Sequence, residues 1–211
     1  NAQLAFLGPF SYVTAVERAG AECICVSGTN GSVGYQSYII TKGDSDIESL
    51  ENLEGTTFGF VDPSSTSGNV VPCNEILENL DLSISFDDLH LDGVFFKTAT
   101  YVGNHQNSIQ AVIQGNVDAA AVSSNTLSNQ IEKGNIAEDD VKIIHESPVI
   151  PGSPICIQKD LPEELKEIVS DFLLSYDNDE YFGGPDTRYV AIEDSEYDYI
   201  RELQDKYGLT D

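Results

Sequence analysis

The chain has 211 residues, 40% of them hydrophobic, and it carries 36 acidic against 10 basic side chains, a net charge of −26. This length suits one domain or two small lobes, and the negative charge argues against nucleic acid or an anionic membrane surface as a direct partner. The sequence contains no apolar run of about 18 residues, so it predicts no membrane-spanning helix.

Short apolar strands alternate with amphipathic helices, which is typical of an α/β fold with mostly parallel sheets. In chain order, the predicted strands are 2–7, 23–27, 35–41, 57–61, 95–102, 117–122, 141–144 and 155–158. The predicted helices are 11–19, 47–53, 70–79, 108–114, 125–133, 162–176 and 195–207. Three prolines in residues 147–154 exclude a helix interior and predict an extended connector, which we interpret as a hinge.

The four cysteines are Cys23, Cys25, Cys73 and Cys156. None of them forms a C-x-x-C pair of the kind found in zinc or redox sites. Buried free thiols are expected, and one disulfide between distant cysteines is the alternative.

The segment Asp62-Pro-Ser-Ser-Thr-Ser-Gly68 joins the predicted strand 57–61 to the predicted helix 70–79. It places several hydroxyls and backbone N–H groups at a helix N-terminus, where anions bind readily. Pro72 fits this position, because the first N–H groups of a helix have no acceptor inside the helix. A plain Ser/Thr helix cap without a ligand is the alternative interpretation.

Two further strand-to-helix turns have similar chemistry. One runs from Tyr101 to Ser108 and contains His105, and the other is Val122-Ser-Ser-Asn125. Turns of this kind meet at the carboxyl ends of parallel strands, where open α/β folds bind their ligands.

Two other kinds of site were considered. Ser67, His105 and Asp118 would be the nucleophile, base and orienting residue of a hydrolase, but no G-x-S-x-G elbow is present. The segment from Asp87 to Asp92, with His90, offers metal ligands but lacks the glycine and terminal glutamate of an EF-hand loop. We therefore expect no enzymatic activity, no metal and no cofactor.

Several segments, in order along the whole chain, resemble the substrate-binding component of phosphate, phosphite and phosphonate ABC transporters. They are Leu7-Gly-Pro-Phe-Ser-Tyr12, Gly34-Tyr35, Leu53-Glu-Gly55, Asp62-Pro-Ser-Ser-Thr-Ser-Gly68 with Pro72, Gly103-Asn-His105, Ala111-Val-Ile-Gln-Gly115, Val117-Asp-Ala-Ala-Ala-Val122 and Ser147-Pro-Val-Ile-Pro151. The resemblance implies a type II periplasmic binding protein, with two α/β lobes joined by a two-strand hinge. The family's first βαβ portion is expected to be missing before Asn1.

The resemblance also implies roles for individual residues. Ser65, Thr66 and Ser67 would hold the phosphorus oxygens, His105 would add a donor, and Tyr35 would cover the ligand from the other lobe.

Family members that bind aminoethylphosphonate have acidic residues where this chain has Asn125 and Ser153, which are therefore predicted ligand-binding positions. Without those carboxylates an ammonium group would be poorly paired, so the expected ligand is a phosphonate or phosphite that lacks an amine.

The predicted lobes are residues 1–43 with 152–211, and residues 44–151. They would close over the oxyanion and present the closed form to an ABC permease. The expected location is extracytoplasmic, as a periplasmic protein or a cell-surface lipoprotein, with membrane contact only through an anchor or the permease. A ligand-sensing domain of a signalling system is an alternative that the sequence does not separate from transport.

Overall fold

The computed structural model describes residues 2–209. The chain forms two compact units, a terminal unit of Asn1–Gly34 with Pro151–Asp211 and a central unit of Tyr35–Ile150. Within residues 2–209, no helix has both the length and the hydropathy of a membrane span.

Strands and helices alternate along most of the chain, and the predicted α/β class is confirmed. In chain order, the strands are β1 (Leu4–Phe6), β2 (Ala21–Thr29), β3 (Gly34–Tyr35), β4 (Ser37–Lys42), β5 (Thr57–Phe60), β6 (Thr98–Tyr101), β7 (Ala119–Ser123), β8 (Val141–Glu146), β9 (Ile150–Pro151), β10 (Ile155–Gln158) and β11 (Thr187–Ala191). The α-helices are α1 (Pro9–Ala19), α2 (Val71–Asn79), α3 (His105–Ile113), α4 (Ser124–Glu132), α5 (Glu163–Ser175), α6 (Asp179–Phe182) and α7 (Asp198–Tyr207).

The central unit is built on a five-stranded sheet with the strand order β6-β5-β7-β4-β8. Strand β5 runs parallel to β6 and β7, whereas β4 runs antiparallel to β7 and β8. Every residue of β7 is buried, as its apolar sequence predicts. Side chains from α3, including Ile109 and Val112, pack on β4 and β7 and form much of the core.

The terminal unit is built on a four-stranded sheet with the order β1-β10-β2-β11, in which every pair is antiparallel. Helix α5 packs against β2 and β11, and helix α1 packs against β2 and α7. Tyr12 of α1 contacts Tyr197, the residue directly before α7; both side chains are nearly inaccessible, and their ring centroids lie 4.6 Å apart.

The sheets differ from the mostly parallel arrangement that was predicted, because the terminal sheet is antiparallel and the central sheet is mixed. The unit boundary also differs. Residues 37–42 were expected in the first lobe, but β4 is hydrogen-bonded between β7 and β8 and so belongs to the central unit. The chain passes between the units at the short paired strands β3 and β9.

Helix α6 and strand β11 were not predicted from the sequence. Strand β11 follows a Gly183-Gly-Pro185 segment that indicates a loop, and its register is set by pairing with the distant strand β2. All four cysteines are free, and Cys25, Cys73 and Cys156 are buried, as expected. Burial raises the pKa of the Cys25 thiol to about 11.

Replacement of Tyr197 by Phe tests the link between α7 and the connector that follows β9. The Tyr197 hydroxyl donates a 2.8 Å hydrogen bond to the Gly152 carbonyl. Because the partly buried Gly152 carbonyl loses its donor, Tyr197→Phe is expected to lower the free energy of unfolding by about 1–2 kcal/mol, measured by urea denaturation. Tyr181→Phe removes a hydroxyl whose hydrogen bond to the Tyr189 hydroxyl is exposed to solvent, and it should have little effect; equal losses in both variants would contradict this assignment.

Candidate functional site

Three strand-to-helix turns meet at one edge of the central sheet. Strands β6, β5 and β7 are neighbours and parallel, so their carboxyl ends lie side by side. Each is followed by the start of a helix, because β5 leads through a turn into α2, β6 leads into α3, and β7 leads into α4. Three helix N-termini therefore face the same edge, as the sequence predicted, and each favours negative charge.

The turn after β5 holds the hydroxyl groups of the predicted anion site. Residues Thr66–Val70 form a single π-helical turn that continues into α2, with Ser65 as its N-cap. The Ser65 Oγ atom accepts a 3.1 Å hydrogen bond from the Gly68 N–H, so its hydroxyl hydrogen can point outwards. A side chain at position 68 would overlap Val61 and approach Ser65 Oγ to 2.7 Å, which explains the glycine.

Further hydrogen bonds fix the start and the middle of this turn. At its start, Asp62 Oδ1 accepts from the Ser64 N–H at 2.9 Å and from the Ser64 hydroxyl at 2.6 Å. Near its middle, the buried Ser37 hydroxyl of β4 donates to the Ser67 carbonyl at 2.7 Å. The turn is thus held by its own sequence and by a neighbouring strand.

Tyr35 lies against the same turn. Its phenol forms hydrogen bonds with Ser67 and Thr66, and the net effect of its surroundings, mainly burial, is to raise the pKa of Tyr35. Tyr35 was predicted to approach from the other lobe. It is instead the first residue of the central unit, at the end of β3.

His105 is the first residue of α3, at the carboxyl end of β6. Its Nδ1 atom accepts a 3.1 Å hydrogen bond from the Ser123 N–H, at the end of β7. Burial lowers the pKa of His105 to about 4, although the nearby Asp62 carboxylate acts in the opposite direction. The ring is therefore neutral at pH 7, and its remaining hydrogen lies on Nε2, which can donate to an anion.

The two positions associated with ligand selectivity lie in different units. Asn125 is exposed in the first turn of α4, at the edge of the central sheet that carries His105. Ser153 lies in the terminal unit, between β9 and β10, and is half-buried. Neither position carries a charge.

The hydrolase arrangement is not assembled. Asp118 lies at the opposite end of the sheet, where its Oδ2 atom accepts 2.7 Å hydrogen bonds from the backbone N–H and the hydroxyl of Thr57. His105 Nδ1 is an acceptor for Ser123, whereas a catalytic triad needs this atom to donate to a carboxylate.

The residues considered as metal ligands also have other partners. Asp88 accepts from the Ser85 N–H, Asp92 accepts from the Ala99 N–H, and His90 faces inwards. Within residues 2–209, no group of three or more His, Cys, Asp or Glu side chains is arranged to hold a metal ion.

The supporting roles of the polar residues behind the turn were not predicted from the sequence. Ser37, Asn69 and Ser123 are buried and bond to the turn or to His105. Asn69 directly follows Gly68 and precedes the predicted helix 70–79. A polar side chain at that helix start was the only local signal of its role. The other two come from strands far away in the sequence.

The pH dependence of stability tests the burial of neutral His105. An unfolded chain takes up a proton at a histidine pKa of about 6.5, whereas the folded protein does so at about 4. Stability from this group is therefore complete above about pH 6.5 and falls as the pH drops towards 4. Between pH 7 and 5, the wild type should lose about 2 kcal/mol more than His105→Gln does in urea unfolding.

Gln106→Ala, a change at the exposed neighbouring residue, serves as the control and should keep the wild-type dependence. Parallel curves for the wild type and His105→Gln would show that His105 titrates equally in the folded and unfolded states.

A family model described as the periplasmic substrate-binding protein of phosphonate ABC transporters matches residues 1–202. A phosphonates-binding periplasmic protein of Escherichia coli is 32% identical over 178 residues, covering 82% of this chain and 50% of the relative. A phosphate-import protein of Mycolicibacterium smegmatis is 28% identical over 228 residues, covering 99% of this chain and 70% of the relative.

A solved structure supports the same relationship. The binding-protein component of an ABC phosphonate transporter from Pseudomonas aeruginosa superimposes with a TM-score of 0.83 at 26% identity, covering 99% of this chain and 70% of that one. The chain spans half the length of the E. coli relative. The predicted type II periplasmic binding fold is confirmed, and the chain belongs to the family of periplasmic substrate-binding proteins of phosphonate ABC transporters.

Proposed function

We propose that this protein captures a small phosphorus oxyanion, a phosphonate or phosphite without an amine, and delivers it to an ABC permease. The observation that carries this proposal is the Ser65–Gly68 turn at the meeting point of three helix N-termini, beside a neutral histidine. Ser65, Thr66 and Ser67 would bind the oxygens through hydroxyl and N–H groups, and His105 would donate from Nε2. Tyr35 would add its phenol.

Neutral donors are sufficient for such a site. A hydrogen bond to a charged group contributes roughly 1.5–3 kcal/mol, and a helix N-terminus adds about 0.3–1 kcal/mol. Four or five such bonds, less the cost of association, reach the roughly 8 kcal/mol of a micromolar complex. The acidic surface opposes binding weakly, because exposed charges are screened beyond about 8 Å at physiological salt.

The named relatives support this ligand class. One is named for phosphonates and another for phosphate, and both ligands present a tetrahedral PO₃ group to the protein. The family also supports an extracytoplasmic location and binding without turnover.

The absence of an amine on the ligand is proposed from Asn125 and Ser153, which the resemblance associates with the ligand's amine. An ammonium group removed from water needs an ionic partner, and neither side chain supplies one. We also propose that the two units close over the ligand through the chain crossings at β3 and β9, and that the permease recognises the closed form.

Calorimetry with four ligands tests both parts of this proposal. The full chain is titrated with methylphosphonate, phosphite, phosphate and aminoethylphosphonate. Methylphosphonate or phosphite should bind with a micromolar or lower Kd, and aminoethylphosphonate should bind more weakly by at least tenfold. No binding of any of the four would refute the function, and tight binding of the amine would refute the selectivity.

A single substitution tests the role of the turn. Thr66→Val keeps the shape of a buried side chain but removes its hydroxyl. The Kd for the preferred oxyanion should rise by about ten- to a hundredfold, the equivalent of one hydrogen bond to a charged group. Thr56→Val is the matched control, because the Thr56 hydroxyl bonds to the Leu53 carbonyl at the opposite end of β5; an unchanged Kd in Thr66→Val would remove this residue from the site.

A further inference from the structure

A buried polar pair lies directly behind the Ser65–Gly68 turn. The Asn69 side chain is 2% exposed, and its Nδ2 atom donates a 3.0 Å hydrogen bond to the Pro63 carbonyl. Its Oδ1 atom lies 2.7 Å from His90 Nε2. The asparagine therefore connects the start of the turn to a histidine far along the chain.

The position of His90 is fixed by its surroundings. Its ring lies 4.5 Å from the Phe60 ring, 5.3 Å from Phe86 and 5.6 Å from Tyr101, with the last pair stacked. Its Nδ1 atom lies 3.2 Å from the Phe86 carbonyl. Burial lowers the pKa of His90, so the neutral ring carries a single N–H.

A single N–H leaves one pair of acceptors facing each other, either Nδ1 and the Phe86 carbonyl at 3.2 Å or Nε2 and Asn69 Oδ1 at 2.7 Å. The shorter contact has the greater need of the hydrogen, which places it on Nε2. With the hydrogen on Nε2, His90 donates to Asn69 Oδ1, and the amide orientation that results lets Nδ2 donate to Pro63. With the hydrogen on Nδ1, Nε2 and Asn69 Oδ1 would face each other as two acceptors at 2.7 Å. Rotation of the amide would then place Oδ1 against the Pro63 carbonyl.

We propose that Asn69 and His90 are positioning residues of the oxyanion site, and that the chain His90 Nε2–H, Asn69 amide, Pro63 carbonyl holds the Ser65–Gly68 turn in its binding geometry. This inference rests on the proposed function. Neither residue needs to contact the ligand. The pair acts by restricting the backbone that carries the hydroxyl and N–H donors, because small displacements of donors weaken hydrogen bonds steeply.

Four variants separate positioning from general stability. His90→Phe keeps an aromatic ring among Phe60, Phe86 and Tyr101 but removes the Nε2 donor, and Asn69→Leu removes the amide. Both should raise the Kd for methylphosphonate or phosphite by roughly tenfold or more, at a temperature where the variants remain folded. His90→Gln supplies an amide donor and should restore much of the affinity. Phe96→Leu, in the same aromatic core, should lower Tm without changing the Kd.

Nuclear magnetic resonance supplies readouts that need no ligand. In ¹⁵N-labelled protein, His90 should be the Nε2–H tautomer, and the backbone amide signals of Ser65–Gly68 should shift in His90→Phe but not in Phe96→Leu. If His90→Phe does not fold, Asn69→Leu replaces it as the variant expected to lose affinity, and His90→Gln remains the variant expected to keep it.

The outcomes distinguish the two proposals. Wild-type binding with an unchanged Kd in His90→Phe and Asn69→Leu would overturn the positioning role and leave the function intact. If the wild type binds none of the oxyanions, the proposed function fails, and unmoved turn signals or an Nδ1–H tautomer would then overturn the positioning role independently.

Discussion

The parallel pairing of β5 with both β6 and β7 is the constraint on which the candidate site depends. Parallel neighbours bring their carboxyl ends to one edge, and each of these strands leads directly into a helix start. Donor groups from three separate turns are gathered there. If any of the three strands were reversed, its helix start would lie at the opposite edge, where Asp118 bonds to Thr57.

The donors of the proposed site are neutral groups. His105 is kept uncharged by burial and by the Ser123 N–H bonded to its Nδ1 atom, so in the proposed site it would contribute a directed hydrogen bond instead of a positive charge. This arrangement suits a protein with a net charge of −26, because contact donors act where distant carboxylates are screened. It also makes affinity depend on geometry, since a hydrogen bond is more directional than a charge–charge contact.

Directional hydrogen bonds require that the backbone carrying the donors is held in place. Ser37 bonds to the Ser67 carbonyl, and Asn69 bonds to the Pro63 carbonyl, so both halves of the turn are tied to buried side chains. Gly68 lets the turn pack tightly against Val61. The turn is therefore part of the core of the central unit, and residues remote from the ligand can influence its affinity.

Local sequence patterns determined most of the strands and helices, the buried character of β7 and the helix start after Ser65, because these depend on neighbouring residues. The ordered family segments also identified the fold and the donor-rich turn. Tertiary structure alone decided that the terminal sheet is antiparallel, that Tyr35 belongs to the central unit, and that β11 exists. It also placed His90, which the sequence predicted to lie in a loop, in hydrogen-bonding contact with Asn69. Strand pairing and buried hydrogen bonds join residues far apart in the chain, and local periodicity carries no record of which distant segment a strand or side chain will meet.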